Sequence, residues 1–370
     1  MWEREKKIIV INKIYKIRSE SMVPSSYVKI TVVLFVIINL SCSSGNYKAV
    51  TADSTYGNKY DSEFPYRDGS TQLEEISETI YRINSLAYYH AYIFADDRKI
   101  KLRDIDDEVI KRLSIKNTYM DKTSSGTGAV IYSSGGTVGL LTCAHVIDFP
   151  DTIVSYFSDA KGVYTDEVQS IAFKTKQVIY AAGFPEGSEV NEILSDKSLD
   201  IAVLGNKFGP RYDKYFHLFN YPFGNAGELS WGNFVYFFGF PLNYKMLSKA
   251  LVSSPNYDKS DSFFIDGVIN RGCSGGIVLA IRDGVPHFEL VGIIDWVPEE
   301  SENILQPAPV EDPYKYNPLV PYRGDNYVKE EKFLKYGMAK VISIESIMDF
   351  LKKNKKYFID KGYYFNIYNE

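Results

Sequence analysis

The residues best suited to covalent chemistry lie in the stretch Gly267-Val268-Ile269-Asn270-Arg271-Gly272-Cys273-Ser274-Gly275-Gly276. A serine between Gly272 and the pair Gly275-Gly276 sits where a tight turn can aim two backbone N–H groups at one point. An oxyanion would be held there. Glycine matters because the backbone must approach a substrate closely and needs φ values that a Cβ obstructs. A serine hydroxyl alone is a poor nucleophile. It needs a base, and the base needs an orienting acid.

Both partners stand upstream. Thr142-Cys143-Ala144-His145-Val146 follows the apolar run Val138-Gly139-Leu140-Leu141, a buried-strand pattern that delivers His145 to the strand's end. Leu199-Asp200-Ile201-Ala202-Val203-Leu204 places an aspartate at the start of an apolar run, where its charge is worth burying only against a partner. Asp196 competes for the acid's role, but the run after Asp200 favours Asp200. The order His145, Asp200, Ser274 is that of chymotrypsin, and neither that of α/β-hydrolases nor that of subtilisins. His90, His217 and His287 have no such company. Cys273 is the alternative nucleophile, but no glycine directly follows it.

Positioning these groups requires a β-rich body. Strand-like runs recur at short intervals over residues 129–132, 138–141, 152–157, 177–181, 201–204, 233–238, 262–266, 276–281 and 289–296. Between them stand turn signals such as Ser133-Ser134-Gly135-Gly136, Phe208-Gly209-Pro210 and Asp283-Gly284. Short, regularly spaced strands with Gly/Pro punctuation fit a barrel or sandwich better than βαβ units. The 52 tyrosines and phenylalanines, 30 and 22, fit an all-β body too. Upstream, Ile76, Ile80, Ile83 and Leu86 have helical spacing before an aromatic strand over 87–94, and residues 96–122 read as a charged surface hairpin or helix. Residues 298–332, with six prolines, read as a long surface insertion, and 344–351 as an amphipathic helix capped near Ser343.

Taken together, Gly126-Thr127-Gly128-Ala129-Val130-Ile131, the His145 segment, Trp231-Gly232-Asn233-Phe234-Val235-Tyr236-Phe237-Phe238-Gly239-Phe240-Pro241 and Asp266 through Gly276 resemble successive signature segments of trypsin-like serine proteases, the HtrA (DegP-like) branch in particular, over about Ile80 to Lys352. The resemblance implies an all-β fold of two six-stranded antiparallel β-barrels, chymotrypsin-like, with a C-terminal helix. The active site would lie in the cleft between them, with polypeptide as substrate, His145, Asp200 and Ser274 as the triad, and Gly272 and Ser274 as the oxyanion hole. It calls for no metal or organic cofactor. By the same resemblance Val268 would lie at the base of the specificity pocket, with Trp296 and Val297 at its wall, a shallow apolar arrangement for small aliphatic side chains. Asp295 stands where the family often has serine or asparagine near the catalytic acid. Cys273 replaces the aspartate of trypsins and the asparagine of HtrA proteins. The PDZ module usual in that branch is expected to be absent, since nothing follows Glu370. A catalytically silent relative that binds peptides through the same cleft is the alternative from another class.

The chain's ends carry other signals. Lys29 precedes the apolar run Ile30 to Leu40, the length of a signal-peptide core and short of the ~20 residues that span a bilayer. It ends in Leu40-Ser41-Cys42 and resembles a bacterial lipoprotein signal, with Cys42 lipidated and Met22 as a more normal start. The expected organisation is a leader over 1–41, a flexible tether over 42–73, the protease domain over 74–357 and a tail over 358–370. The expected location is exported, periplasmic or cell-surface, at the outer membrane through the lipid anchor. A net charge of −5 argues against nucleic acid as a partner. Cys143 and Cys273 read as small buried thiols.

Overall fold

The structure, a computed structural model, describes residues 58–65, 67–159, 163–295, 299–307, 326–334 and 337–365. The leader and Cys42 therefore lie outside the described residues. Strands dominate because the chain is rich in β-branched and aromatic side chains at alternating spacing. In β1 (Ile80–Phe94), Ile80, Ile83, Ala87, Tyr89 and Ala91 are buried while much of the opposite face is not.

Six strands close the first barrel. β1 pairs with β2 (Ser114–Ser134), β2 with β3 (Thr137–Thr142), β3 with β7 (Ile201–Lys207), β7 with β6 (Glu189–Asp196), and β6 with β5 (Tyr164–Ala181), which returns to β1 from Ile83↔Ala181 onward. β4 (Thr152–Ser158) adds to the free edge of β5. The second barrel is also six-stranded, antiparallel and closed, in the order β10 (Phe263–Asp266), β15 (Met338–Ser343), β12 (Phe288–Ile294), β11 (Ile277–Ile281), β8 (Phe234–Gly239) and β9 (Met246–Ser254). Closure leaves neither sheet an open edge at the core. β7 from Ile201 to Gly205 and β11 throughout are buried, as continuous apolar runs require.

Among the described residues four α-helices complete the body: α1 (Ser70–Glu78), α2 (Asp107–Leu113), α3 (Ile344–Lys353) and α4 (Lys355–Lys361). The Ser343 hydroxyl accepts from the N–H of Ser346 and caps α3, which buries Ile347, Phe350 and Leu351. Each such side chain contributes about 1.5–3 kcal/mol when fully buried.

Several expectations need revision. The helical spacing of Ile76, Ile80, Ile83 and Leu86 is split, since α1 ends at Glu78 and the last three lie on β1. Tyr60, expected in the tether, is 5% exposed and its hydroxyl donates to Glu289 at 2.7 Å. Tyr363 and Phe365, expected in the tail, are buried in the same core. Within 298–332 the described residues form strands, β13 (Glu299–Pro307) paired with β14 (Asn326–Leu334). Residues 96–122 supply two 3-10 turns, α2 and the start of β2.

Candidate active site

β3 and β7 are antiparallel neighbours, with Thr142 opposite Ala202. The end of one and the start of the other therefore share one rim of the first barrel. His145 lies in the 3-10 turn Ala144–Val146 just after β3, and Asp200 directly precedes β7. The turn is tied to the aspartate's backbone, Ala144 N–H donating to the Asp200 carbonyl at 3.2 Å. The carboxylate takes two further bonds, from the His145 backbone N–H at 2.7 Å and from ring Nδ1 at 2.5 Å. Asp200 has φ +56°, a left-handed backbone that aspartate tolerates better than most residues. Asp196, the competing acid, is a turn former: its Oδ1 accepts from the Ser198 N–H, the Ser198 hydroxyl and the Leu199 N–H.

Ser274 stands on the rim of the second barrel, three residues before β11, half-buried. Its turn is fastened to the first barrel through Thr127. The Thr127 N–H donates to the Ser274 carbonyl at 2.8 Å and its hydroxyl to the Gly272 carbonyl at 2.7 Å. That hydroxyl also accepts from the Phe240 N–H at 3.1 Å. At Gly275, with φ +80°, an added Cβ would fall 2.2 Å from the Thr127 carbonyl oxygen and 2.4 Å from the Thr142 hydroxyl. Only a glycine lets the turn sit against the strand that leads to His145.

Within this turn the amides divide. Cys273 N–H donates to Asn270, Gly275 N–H to Ile294 and Gly276 N–H to Cys273. Among the described residues no protein acceptor takes the N–H of Gly272 or of Ser274. Buried amides are rarely left unpaired, so two unspent donors around one serine fit an anion site. Gly272 has φ +99°, and a Cβ there would fall 2.3 Å from the Phe240 carbonyl oxygen. Also among the described residues, no hydrogen bond joins the Ser274 hydroxyl to His145; the bonds of Ser274 run through its backbone.

The electrostatics follow from burial and from Asp200. Burial alone would lower the His145 pKa, but the hydrogen bond and charge of Asp200 outweigh it and raise it above 6.5. Burial would raise Asp200, yet the bonds and charge of His145 hold it below the usual carboxylate value. Asp295, only 6% exposed, lies within hydrogen-bond reach of Asp200. Burial, then the bond to Asp200 and its charge, push it up to about 7 against the pull of Lys340 and His145.

Cys143 Sγ, His145 and Asp200 present ligand atoms within 4.8 Å of one another, a spacing that can hold a metal ion. The chemistry of the set argues otherwise. The Cys143 thiol is wholly buried, bonds to the Ile294 carbonyl at 3.1 Å, and is pushed well up by burial and the two carboxylates. A thiol so reluctant to ionise, beside a carboxylate committed to an imidazole, is a poor ligand. Cys143 and Cys273 are free, buried thiols.

The remaining expected residues are less gathered. Val268 is 76% exposed and lines an open groove with Phe64, Phe234 and Leu251, so it does not floor an enclosed pocket. Trp296 and Val297 lie outside the described residues. Sequence reasoning missed Thr127. Its only signal was a polar side chain between two glycines at the mouth of a strand.

Residues 126–293 match the model of the trypsin-like peptidase domain. The two closed barrels fit the chymotrypsin fold, and a peptidase domain of that kind implies polypeptide as its substrate class. No curated protein matches the chain.

Proposed function

We propose that the protein is a serine endopeptidase of the HtrA-like kind. Ser274 attacks the substrate carbonyl while His145 Nε2 takes its proton and later delivers it to the leaving amine. Asp200 fixes the tautomer through Nδ1 and stabilises the imidazolium. The Gly272 and Ser274 N–H groups receive the tetrahedral oxyanion, each on the order of 3 kcal/mol of transition-state stabilisation. The observation that carries this reading is the two-point grip of Asp200 on His145, beside a serine turn whose two unspent amides flank the hydroxyl.

Fluorophosphonate labelling of the purified protein tests it. Wild type should label at one site, and Ser274→Ala should not. The second reading, a catalytically silent protein that binds peptides in the same cleft, is favoured by the missing bond between the Ser274 hydroxyl and His145. Absence of labelling alongside peptide binding would establish it.

Two finer proposals rest on sequence. The family resemblance, and not an enclosed pocket at Val268, supports small aliphatic side chains as the proposed preference, with Trp296 and Val297 as wall; a peptide-library profile dominated by Lys or Arg would overturn it. The run Ile30–Leu40 ending at Cys42 supports export and a lipid anchor at the outer membrane. Metabolic labelling with palmitate, lost in Cys42→Ala, tests that anchor.

A further inference from the structure

We propose that Asp295 is a positioning residue of this site, a carboxylic acid that keeps its proton and donates it in a hydrogen bond to Asp200, so that the acid behind His145 is a proton-sharing pair. The inference deepens the serine-peptidase reading and rests on it for its catalytic consequence.

An ionised carboxylate only accepts, so two carboxyl groups within hydrogen-bond reach need a proton between them. Asp200 already accepts from the backbone and the ring of His145, bonds that hold it as an anion. The proton therefore rests on Asp295. That residue is 6% exposed and cannot shed the cost of a second charge into water. The backbone holds it in place. Its N–H donates to the Lys340 carbonyl at 2.9 Å. The preceding carbonyl, of Ile294, accepts from Gly275 N–H at 2.8 Å and bonds Cys143 Sγ at 3.1 Å. Asp295 is thus tied by one peptide to the residue after Ser274 and to the residue two before His145.

The groups that face it are Asp200, His145 and the Cys143 thiol from the first barrel, and Lys340 from β15. Lys340 Nζ is 3.6 Å from Asp295 and shares its charge with Asp258 at 3.7 Å. One cation divided between two carboxylates does not offset both anions at the triad. Loss of the Asp295 proton would leave two negative carboxyl groups below His145. The bond that orients Asp200 would become a repulsion, and the imidazole would hold its own proton more tightly. The expected consequence is an alkaline limit on activity, set by Asp295, close to where His145 becomes free to act as base.

The test uses the full chain as wild type, Asp295→Asn and Asp295→Ala, with fluorophosphonate labelling rates followed from about pH 5 to about pH 9. The wild-type rate should rise as His145 loses its proton and then fall above about 7, where Asp295 loses its own. The Asn amide is a permanent donor, so Asp295→Asn should keep rising to a plateau and exceed wild type by about tenfold at the alkaline end. Asp295→Ala, with no donor, should label slowly at every pH. Superimposable profiles for wild type and Asp295→Asn overturn the positioning role.

A second measurement does not depend on chemistry at the serine. The folded-state pKa of Asp295 is raised above its unfolded value. Its stabilisation relative to Asp295→Asn should be fully present below about 4 and lost as pH rises through about 7. The wild-type Tm should fall toward and below that of the variant over that window. A flat Tm difference overturns the shared proton. In a protein that never labels, the serine-peptidase reading fails and the Tm comparison alone decides whether Asp295 holds the proton. Should Asp295→Asn not fold, Asp295→Ser takes its place as a smaller permanent donor.

Discussion

The two barrels deliver their site residues by the same device and then use them differently. In the first, His145 follows β3 and Asp200 precedes β7; in the second, Asp295 follows β12 and Ser274 comes shortly before β11. Both strand pairs are antiparallel neighbours, Thr142 opposite Ala202 and Ile293 opposite Ile277, so each pair brings two chain segments to one rim. The difference is in what holds them. The first rim is closed by side chains, with Asp200 bonded twice to His145. The second is closed by backbone, with Thr127, Ile294 and Phe238 packed against glycines that admit no Cβ. A proton relay needs oriented side chains, and an anion site needs free amides. On the serine-peptidase reading, one rim orients a base and the other leaves amides free to hold charge.

The sharpest way to break that division is to remove Ser274, the proposed nucleophile. Ser274→Ala should cut turnover of a peptide substrate by about a millionfold while leaving the unfolding free energy within about 0.5 kcal/mol of wild type, since the serine's structural bonds are made by its backbone. Residual labelling or cleavage near the wild-type rate would show that another residue does the chemistry. Asp200→Asn should cost about 10⁴-fold in kcat, because an amide beside Nδ1 selects the wrong tautomer. Its pH profile should also change. In wild type the Asp200 bond and charge raise the His145 pKa above 6.5, so kcat/KM falls as pH drops through that raised value. In Asp200→Asn the acid limb should move to lower pH.

The backbone-held rim is tested at Thr127. Thr127→Val keeps the shape, removes the donor to Gly272 and the acceptor for Phe240, and leaves the anchoring N–H to Ser274 in place. A buried partner left unpaired costs about 1–3 kcal/mol, which urea unfolding should read as a lower midpoint at unchanged m. Misaligned amides should lower kcat by up to about a hundredfold with KM little changed. A fall in KM-dependent binding alone would place Thr127 in substrate contact instead.

Much of the strand pattern is legible in the sequence. The strands over 138–141, 201–204 and 276–281 are continuous apolar runs bounded by turn residues, and β3, β7 and β11 lie where those runs do. The placing of His145 and Asp200 is legible because each ends or begins such a run. The losses have physical causes. The outer part of β2, residues 114–125, is polar and mostly exposed, and is a strand because β1 pairs with it along its length. No alternation could reveal that. Ile80 and Ile83 satisfy a helical and a strand spacing alike, and Thr79 decides between them by capping α1. Tyr60, Tyr363 and Phe365 lie in polar stretches whose burial depends on partners far away in sequence. The burial of Asp295 beside Lys340 and the site is likewise set by tertiary packing, and a sequence shows only that a second carboxylate is near.

The smallest expected effect falls on Cys273, the residue beside the nucleophile. Its thiol is buried, pushed up by that burial, and would lie about 3.0 Å from a Cβ added at Gly239. A thiol held neutral in a close-packed apolar site is neither a nucleophile nor a ligand. Cys273→Ser exchanges sulfur for a smaller, more polar atom, and should cost about 1 kcal/mol of stability while leaving kcat within about threefold of wild type. Because the Cys273 N–H is spent on Asn270, the change touches neither unspent amide. A loss of activity as large as that of Ser274→Ala, measured on folded protein, would move the chemistry from the hydroxyl to the thiol. It would also end the division of labour between the rims, since the second would then act through a side chain packed against Gly239.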